Sequence, residues 1–258
     1  MKVYKAYAKV NVFLKITGLR DNYHEIISRF MRVNSLFDEL SFVPKDEDDF
    51  KIIGNFSCQT EQNTIYKAYI ALKKSTKSET LDKLMKTHGV EVKKSIPAFA
   101  GLGGGSSDAA TYLKMCNEVL HLGLSLNELA TIGLEVGADV PFFIYGYNSA
   151  NVSGIGEVVE EFKEELLEFE VFTPDVQIST PKVYQTYRAD FYAPVDGFES
   201  QRLKQTKSKE ILQTMDVAQA NDLFKPAMQE YKELKKHYEY GCHFSGSGSS
   251  FFRLKEDG

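Results

Sequence analysis

Paired cysteines, surplus positive charge and long apolar runs are all missing from this chain. Cysteine is confined to Cys58, Cys116 and Cys242, an odd and widely spaced set without a CxxC pair. Neither a disulfide framework nor a zinc site is supported, and a reducing cytoplasm is the expected setting. The formal charge of -5 argues against an extended nucleic-acid surface, so a phosphate-bearing ligand has to be met by a focused local site. No run approaches the ~18 apolar residues that cross a bilayer, and the opening MKVYKAYAKVNVFLKI interleaves lysine with apolar residues, unlike a signal peptide. What is present, 43% apolar and 26% charged residues over 258 positions, suffices for a real core in one large or two medium domains.

The densest signal is Pro97-Ala98-Phe99-Ala100-Gly101-Leu102-Gly103-Gly104-Gly105-Ser106-Ser107-Asp108-Ala109-Ala110, a glycine-rich loop running straight into a helix. Glycines at 101, 103, 104 and 105 open positive φ to the backbone and let its amides approach an oxygen-rich ligand with no Cβ in the way. The helix that follows aims unpaired N–H groups and roughly half a positive charge at the same place. Ser106, Ser107 or Asp108 is expected to cap it, Ala109, Ala110, Leu113, Met115, Val119 and Leu120 to build it, and Gly123 to stop it. A Walker loop would follow its last glycine with Lys-Ser/Thr, and Gly105 is followed by Ser106. A dinucleotide fingerprint would need glycine at 106 and an acidic ribose ligand roughly 20 residues on, and neither is present. The remaining alternative is a linker or a tight strand-to-helix turn; a linker does not lead at once into so strong a helix.

Along the chain, Val10, Val12, Leu14 and Ile16 alternate with Lys9, Asn11, Phe13 and Lys15, the pattern of a half-buried strand that places Lys9 and Asn11 on one side. A turn around 18–23 is followed by strand-like residues to Val43 and an acidic break at 46–49, read as a solvated loop. Asn63 and Thr64 open a helix carrying Ile65, Tyr69 and Leu72, and 90–96 reads as a strand entering the glycine loop. Ser125-Leu126-Asn127-Glu128 is a capping box for a helix that Gly137 can close, with Asp139 in the connection beyond it. Residues 140–145 fit either a helical turn or an apolar strand. A domain boundary is placed near Tyr147, after which 157–170 holds seven glutamates against one lysine. The second half has shorter elements, a helical stretch over 221–237 interrupted by Pro226, and a second glycine-serine loop over 245–250.

An amide-rich loop, a strand lysine and an aspartate in a turn are the parts that phosphoryl transfer needs: amides, cations and metal to hold spreading negative charge, and a carboxylate to take the proton of the accepting hydroxyl. Taken singly, Lys9 also reads as a solvated strand residue, Asp139 as a helix cap and Tyr23-His24 as a turn pair. Read together, Ala8-Lys9-Val10-Asn11-Val12-Phe13-Leu14 with Tyr23-His24, the stretch from Gly101 to Ala110, Gly137-Ala138-Asp139-Val140-Pro141 and Ser245-Gly246-Ser247-Gly248 resemble the superfamily of galactokinase, homoserine kinase, mevalonate kinase and phosphomevalonate kinase, the GHMP kinases. Within it they resemble the branch that acts on a cytidine diphosphate conjugate of methylerythritol.

The resemblance implies an α+β, two-domain GHMP-kinase fold: a ribosomal protein S5 domain 2-like ATP-binding domain over 1–147 and a ferredoxin-like domain over 148–258, with the active site in the cleft between them. It implies Lys9 and Asp139 as the catalytic pair, and Asn63, Lys94, Pro97, Gly101, Leu102, Gly103, Gly104, Gly105, Ser106 and Ser107 around ATP. Asn11 is implied at the methylerythritol unit, Tyr23, His24 and Tyr184 at the cytosine, and Gly246 and Gly248 in a closing loop. ATP and Mg²⁺ are the expected cofactors, with no metal carboxylate assigned. The expected partners are small molecules, with no nucleic acid, membrane or obligatory protein partner. Residues 185–218 match nothing in the family pattern.

Overall fold

The computed structural model describes residues 2–46, 49–56 and 58–255. Within the acidic break, Glu47 and Asp48 lie outside the described residues. The N-terminal strand β1, Tyr4–Arg20, is longer than alternation predicts. Residues 8–14 are buried on both faces, with Lys9 at 3% and Asn11 at 2% exposure, so the expected half-buried strand is instead an interior one. Burying such polar groups costs about 1–3 kcal/mol each unless partners await them, and here they do. The turn expected over 18–23 shrinks to positions 21 and 22, with Asp21 at φ 55, and β2, Tyr23–Pro44, returns alongside β1.

The chain divides into two compact units. The first holds the chain up to Ala8, Leu36–Ile96 and Gly103–Gly146; the second holds Lys9–Ser35, Pro97–Leu102 and everything from Tyr147 onward. In the first unit the later part of β2 runs antiparallel to β4, His88–Lys93, with Leu40 opposite Val92, and β3, Ile52–Ile53, lies parallel to β4. β4 ends before the expected Ile96 because the N–H groups of Ser95 and Ile96 turn to the Asp38 carboxylate.

Helices α1 (Thr64–Thr76), α2 (Glu79–Thr87), α3 (Gly104–Val119), α4 (Leu126–Leu134) and α5 (Val140–Tyr145) complete this unit. α1, α4 and α5 pack on α3 and bury Leu72, Leu113, Leu129 and Ile144. α4 carries both halves of the Ser125/Glu128 capping box and stops at Leu134, short of Gly137. Residues 140–145 resolve as helix, with Pro141 in the first turn, where an absent N–H is harmless, and Gly146 at φ 70 closing it.

In the second unit the earlier part of β2 runs antiparallel to β5, Ser149–Gly154, with Phe30 opposite Ala150, and β6, Val158–Glu161, pairs antiparallel with β5. A separate antiparallel sheet has the order β7 (Phe169–Phe172), β9 (Phe251–Leu254), β8 (His243–Phe244). Around it lie α6 (Thr180–Thr186), α7 (Gly197–Gln205), α8 (Ser208–Thr214), α9 (Val217–Ala220) and α10 (Phe224–Glu230). Pro226 sits in the first turn of α10, so it starts this helix rather than interrupting a longer one. The core joins Leu14 and Ile16 to Val183, Leu223, Phe244 and Phe251.

The segment unread in the sequence, 185–218, is fastened by Arg29. This fully buried guanidinium donates to Asn151 Oδ1 at 2.8 Å, to Glu164 Oε1 at 3.2 Å and to the Lys204 carbonyl at 2.9 Å, and stacks 3.4 Å from the centroid of the Phe162 ring. Burial draws its pKa down to about 10 against the pull of Glu164, leaving it charged. Glu164, one of the seven glutamates, is thus an interior partner. Removing one member of a buried pair strands the other, so Arg29→Ala is expected to lower the unfolding free energy by about 3–5 kcal/mol in denaturant titrations. A loss under about 1 kcal/mol, the scale of a surface pair, would show that the clamp contributes little.

Candidate active site

α3 begins at Gly104, with Gly103 at φ 71 as its N-cap and no side chain capping it. Ser106, Ser107 and Asp108 lie inside the helix, so none is the cap that their sequence position suggested. The first rung of the helical ladder is Ser107 N–H to the Gly103 carbonyl at 2.8 Å, which leaves the preceding amides without an acceptor one turn back. The backbone here is close-packed from behind. A Cβ on Gly104 would lie 2.8 Å from Ile96 Cγ2, and the Thr64 hydroxyl donates to the Gly105 carbonyl at 2.7 Å.

The leading end of the glycine run is held within the second unit. Lys9 Nζ donates to the Gly101 carbonyl at 2.9 Å and to Asn11 Oδ1 at 2.6 Å, and lies 4.6 Å from the centroid of the Phe30 ring. Asn11 Nδ2 donates to Ser28 Oγ at 2.9 Å, which turns the Asn11 oxygen toward Lys9. Ser245 Oγ also donates to the Gly101 carbonyl at 2.9 Å and accepts the Asn11 N–H at 3.3 Å. The second glycine-serine loop is therefore interior: Gly246 and Gly248 are buried at φ 58 and 97, and a Cβ on Gly246 would lie 3.4 Å from Gly101 Cα. Leu102 is buried, its carbonyl accepting the Lys9 N–H at 3.0 Å, whereas Pro97 at the loop's entrance is exposed.

Asp139 is half-buried and belongs to the same unit as the start of α3. It occupies the N-cap position of α5, yet its side chain makes no cap hydrogen bond. Two residues earlier, a Cβ on Gly137 would lie 3.7 Å from Ser106 Oγ, so this connection runs beside the first turn of α3.

Asn63 caps α1, its side chain accepting the Ile65 N–H at 2.9 Å. Lys94 is bound by two carboxylates, Asp38 Oδ2 at 2.5 Å and Asp108 Oδ2 at 2.8 Å. Burial works against the ammonium of Lys94, but Asp108 and Asp38 outweigh it and its pKa rises. Burial pushes the Asp108 carboxyl up to about 7, with Lys94 opposing and Asp38 adding to the rise.

His24 and Tyr184 come together within the second unit, ring centroids 5.0 Å apart, with Tyr187 edge-on to His24 at 5.8 Å. His24 Nε2 is buried without a hydrogen-bond partner. Burial, and then the charge of Arg188, hold its pKa below 6.5. Tyr23, 64% exposed, is the neighbour on the opposite side of the strand.

Asp38, Asp108, Tyr187, Asn221 and Ser245 were not singled out as site residues by sequence reasoning. Asn221 Nδ2 donates to the Phe244 and Gly246 carbonyls at 2.8 and 2.9 Å and so shapes the second loop. Only Ser245 and Asp108 carried a signal, as flanks of glycine runs.

Known proteins resemble this chain in sequence and fold. The model of the GHMP kinases N terminal domain matches residues 63–147, from the α1 cap through α5. The 4-diphosphocytidyl-2-C-methyl-D-erythritol kinase of Sulfurimonas denitrificans is 71% identical over 99% of this chain and 98% of its own length. The crystal structure of a 4-(cytidine 5'-diphospho)-2C-methyl-D-erythritol kinase aligns with a TM-score of 0.74 at 28% identity, covering 99% of this chain and 90% of that one. Methanococcus jannaschii mevalonate kinase aligns with a TM-score of 0.62 at 14% identity over 99% and 90% of the two chains, a likeness of fold alone. The GHMP-kinase fold expected from the sequence is borne out.

Gly101 is the tightest point of the loop, at φ 73 with a Cβ position 2.0 Å from the Ser245 carbonyl oxygen. Gly101→Ala is expected to cost more than about 2 kcal/mol of unfolding free energy, from left-handed backbone strain and overlap together. An unchanged denaturation midpoint would show that the loop yields at this point.

Proposed function

The chain belongs to the 4-diphosphocytidyl-2-C-methyl-D-erythritol kinases, a family of GHMP kinases, and on that premise we propose that it moves the γ-phosphoryl group of ATP onto the 2-hydroxyl of the methylerythritol unit of that substrate, a step of the non-mevalonate route to isoprenoid precursors. The observation that carries the proposal is the uncapped start of α3, where amides stand without acceptors against a backbone closed from behind. Such a place suits the triphosphate tail, which approaches the amides of 101–107, with Asn63, Lys94 and Pro97 toward the nucleoside.

Asp139 takes the proton of the attacking hydroxyl. Its half-buried carboxylate stands at the N-cap position of α5 without capping that helix, beside the connection that runs along the first turn of α3. Lys9 supplies a cation whose direction is fixed by the Gly101 carbonyl and Asn11, so no reorganisation is needed as charge develops on the transferring group. Asn11 contacts the methylerythritol unit, and Gly246 and Gly248 form the wall beside it. Tyr23, His24 and Tyr184 hold the cytosine by stacking and by a hydrogen bond to the base edge from the unpartnered His24 Nε2.

Mg²⁺ belongs to the same proposal. Among the described residues no group of three or more His, Cys, Asp or Glu side chains gathers into a protein cage for a metal. The half-buried Ser106 hydroxyl in the first turn of α3, with Ser107 beside it, offers hard oxygen donors next to substrate phosphates, a setting that suits an ion which keeps most of its waters. The ion would neutralise phosphate charge there. Among the described residues no helix is long and apolar enough to cross a membrane.

ADP release is expected with the cytidine diphosphate conjugate and not with mevalonate or homoserine; release with either of the latter alone would overturn the substrate assignment. Asp139→Asn is expected to lower kcat by about 10²–10⁴ while ATP binding, measured by calorimetry, is kept. Turnover near wild type would remove Asp139 from the base role. Because burial, and then Arg188, hold the His24 pKa below the ordinary imidazole range, the neutral ring is favoured at neutral pH and takes up its proton only on stronger acidification than a free imidazole needs. KM for the conjugate is therefore expected to rise in the acid range for the wild type and to stay flat for His24→Gln; matching profiles would separate His24 from the base.

A further inference from the structure

The glycine run is bounded by a buried ionic cluster of which only Lys94 has a part in the proposed mechanism; its two carboxylates have none. Lys94 stands just before residues 95–107, and Asp108 just after them. The two are joined directly, Lys94 Nζ to Asp108 Oδ2 at 2.8 Å, so the whole loop is closed at its base by one ion pair. Asp38, from β2 and fully buried, completes the cluster. One of its oxygens accepts Lys94 Nζ at 2.5 Å, and the other accepts the N–H groups of Ser95 at 2.5 Å and Ile96 at 2.8 Å. All three residues belong to the unit that holds the start of α3.

The cluster reaches the phosphate-binding backbone. A Cβ on Gly104 would lie 3.6 Å from Lys94 Nζ and 2.8 Å from Ile96 Cγ2, so the residue anchored by Asp38 packs where that Cβ would stand, and the ammonium lies close by the first residue of α3. Asp108 Oδ1 is buried and has no hydrogen-bond partner, which makes Lys94 the group through which this carboxylate acts. Buried ion clusters are weak evidence of added stability, because desolvation offsets attraction. This cluster has a geometric consequence instead. It fixes both ends of the loop and the direction of a partly exposed ammonium, 19% of whose side chain reaches solvent.

We propose that Asp38 and Asp108 are positioning residues for the nucleoside triphosphate: through Lys94 and the amides of Ser95 and Ile96 they clasp the base of the glycine loop so that its free amides meet the phosphates. The inference rests on the ATP reading of that loop. Asp38→Asn keeps a carbonyl oxygen for the two amides and loses the charge on Lys94; Asp108→Asn loses only the charge.

The test is steady-state kinetics with ATP and the cytidine diphosphate conjugate, beside calorimetric titration of the full chain with a non-hydrolysable ATP analogue. Each single variant is expected to raise KM for ATP about tenfold or more, the scale of one charge-assisted hydrogen bond, with KM for the conjugate within about twofold of wild type. Asp108→Asn is expected to add nothing in a Lys94→Gln background, since it acts through that ammonium. Asp38→Asn and Asp108→Asn variants that both bind the analogue like wild type, or that raise both KM values equally, would overturn the inference while leaving the ATP reading standing. Failure of the wild-type chain to bind the analogue would overturn both. Should Asp108→Asn not fold, Asp38→Asn decides alone.

Discussion

One carbonyl oxygen, that of Gly101, accepts hydrogen bonds from Lys9 Nζ and from Ser245 Oγ. A carbonyl has two lone pairs, and both are taken. The consequence is a chain of constraint within the second unit. Ser245 can reach that oxygen only if Gly101 has no Cβ, and Lys9 is aimed at it only because Ser28 turns the Asn11 amide round to present its oxygen. Glycine here makes for rigidity as much as freedom. Its bare Cα lets two backbones touch, and the touching removes the mobility that a glycine run would otherwise have.

The leading end is hydrogen-bonded within the second unit and the trailing end enters α3 at Gly104; fixed dipoles such as the first amides of a helix are what stabilise charge that appears only in a transition state. The same economy explains how a chain with a formal charge of -5 can hold a polyanion. The attraction is not spread over a basic surface. On the proposed reading it is local, resting on the N-terminus of α3 and on Lys94, which is already balanced by two carboxylates. Lys9 is buried at 3% exposure, where a charge is screened less by solvent and its interactions are stronger.

Sequence made the phosphate loop legible because its chemistry is local: amides, small residues and a helix start occupy consecutive positions. It misjudged the cap, since Ser106 to Asp108 look like capping residues and Gly103 does not, yet the helix starts earlier with left-handed backbone at that glycine. Strand β1 was misjudged for a related reason. Alternation assigns Lys9 and Asn11 to solvent, and only residues at 28, 101 and 245 make their burial tolerable. The Asp38–Lys94–Asp108 cluster and the Arg29 clamp left no trace in the pattern, because their partners are separated by 14 to 175 positions and no periodicity links them. Pro226 was read as a break when it is a beginning, and proline permits both.

The acceptor side of the site differs from the phosphate side in what it asks of the fold. On the proposed reading a triphosphate is met by backbone amides. A cytosine must be met by side chains. His24 comes from the start of β2, and Tyr184 and Tyr187 come from α6 and the π-helical turn Tyr187–Phe191 that continues it. Tyr184 and Tyr187 are three positions apart, so both rings face one side of the helix and take His24 between a tilted and an edge-on partner. The π turn begins at Tyr187, the residue whose hydroxyl accepts the Ala193 N–H at 3.2 Å and ties the widened turn back on itself. An irregular helix stands here beside an unpartnered imidazole nitrogen, and it lies where the proposed function would have the chain distinguish a nucleobase from a bare alcohol.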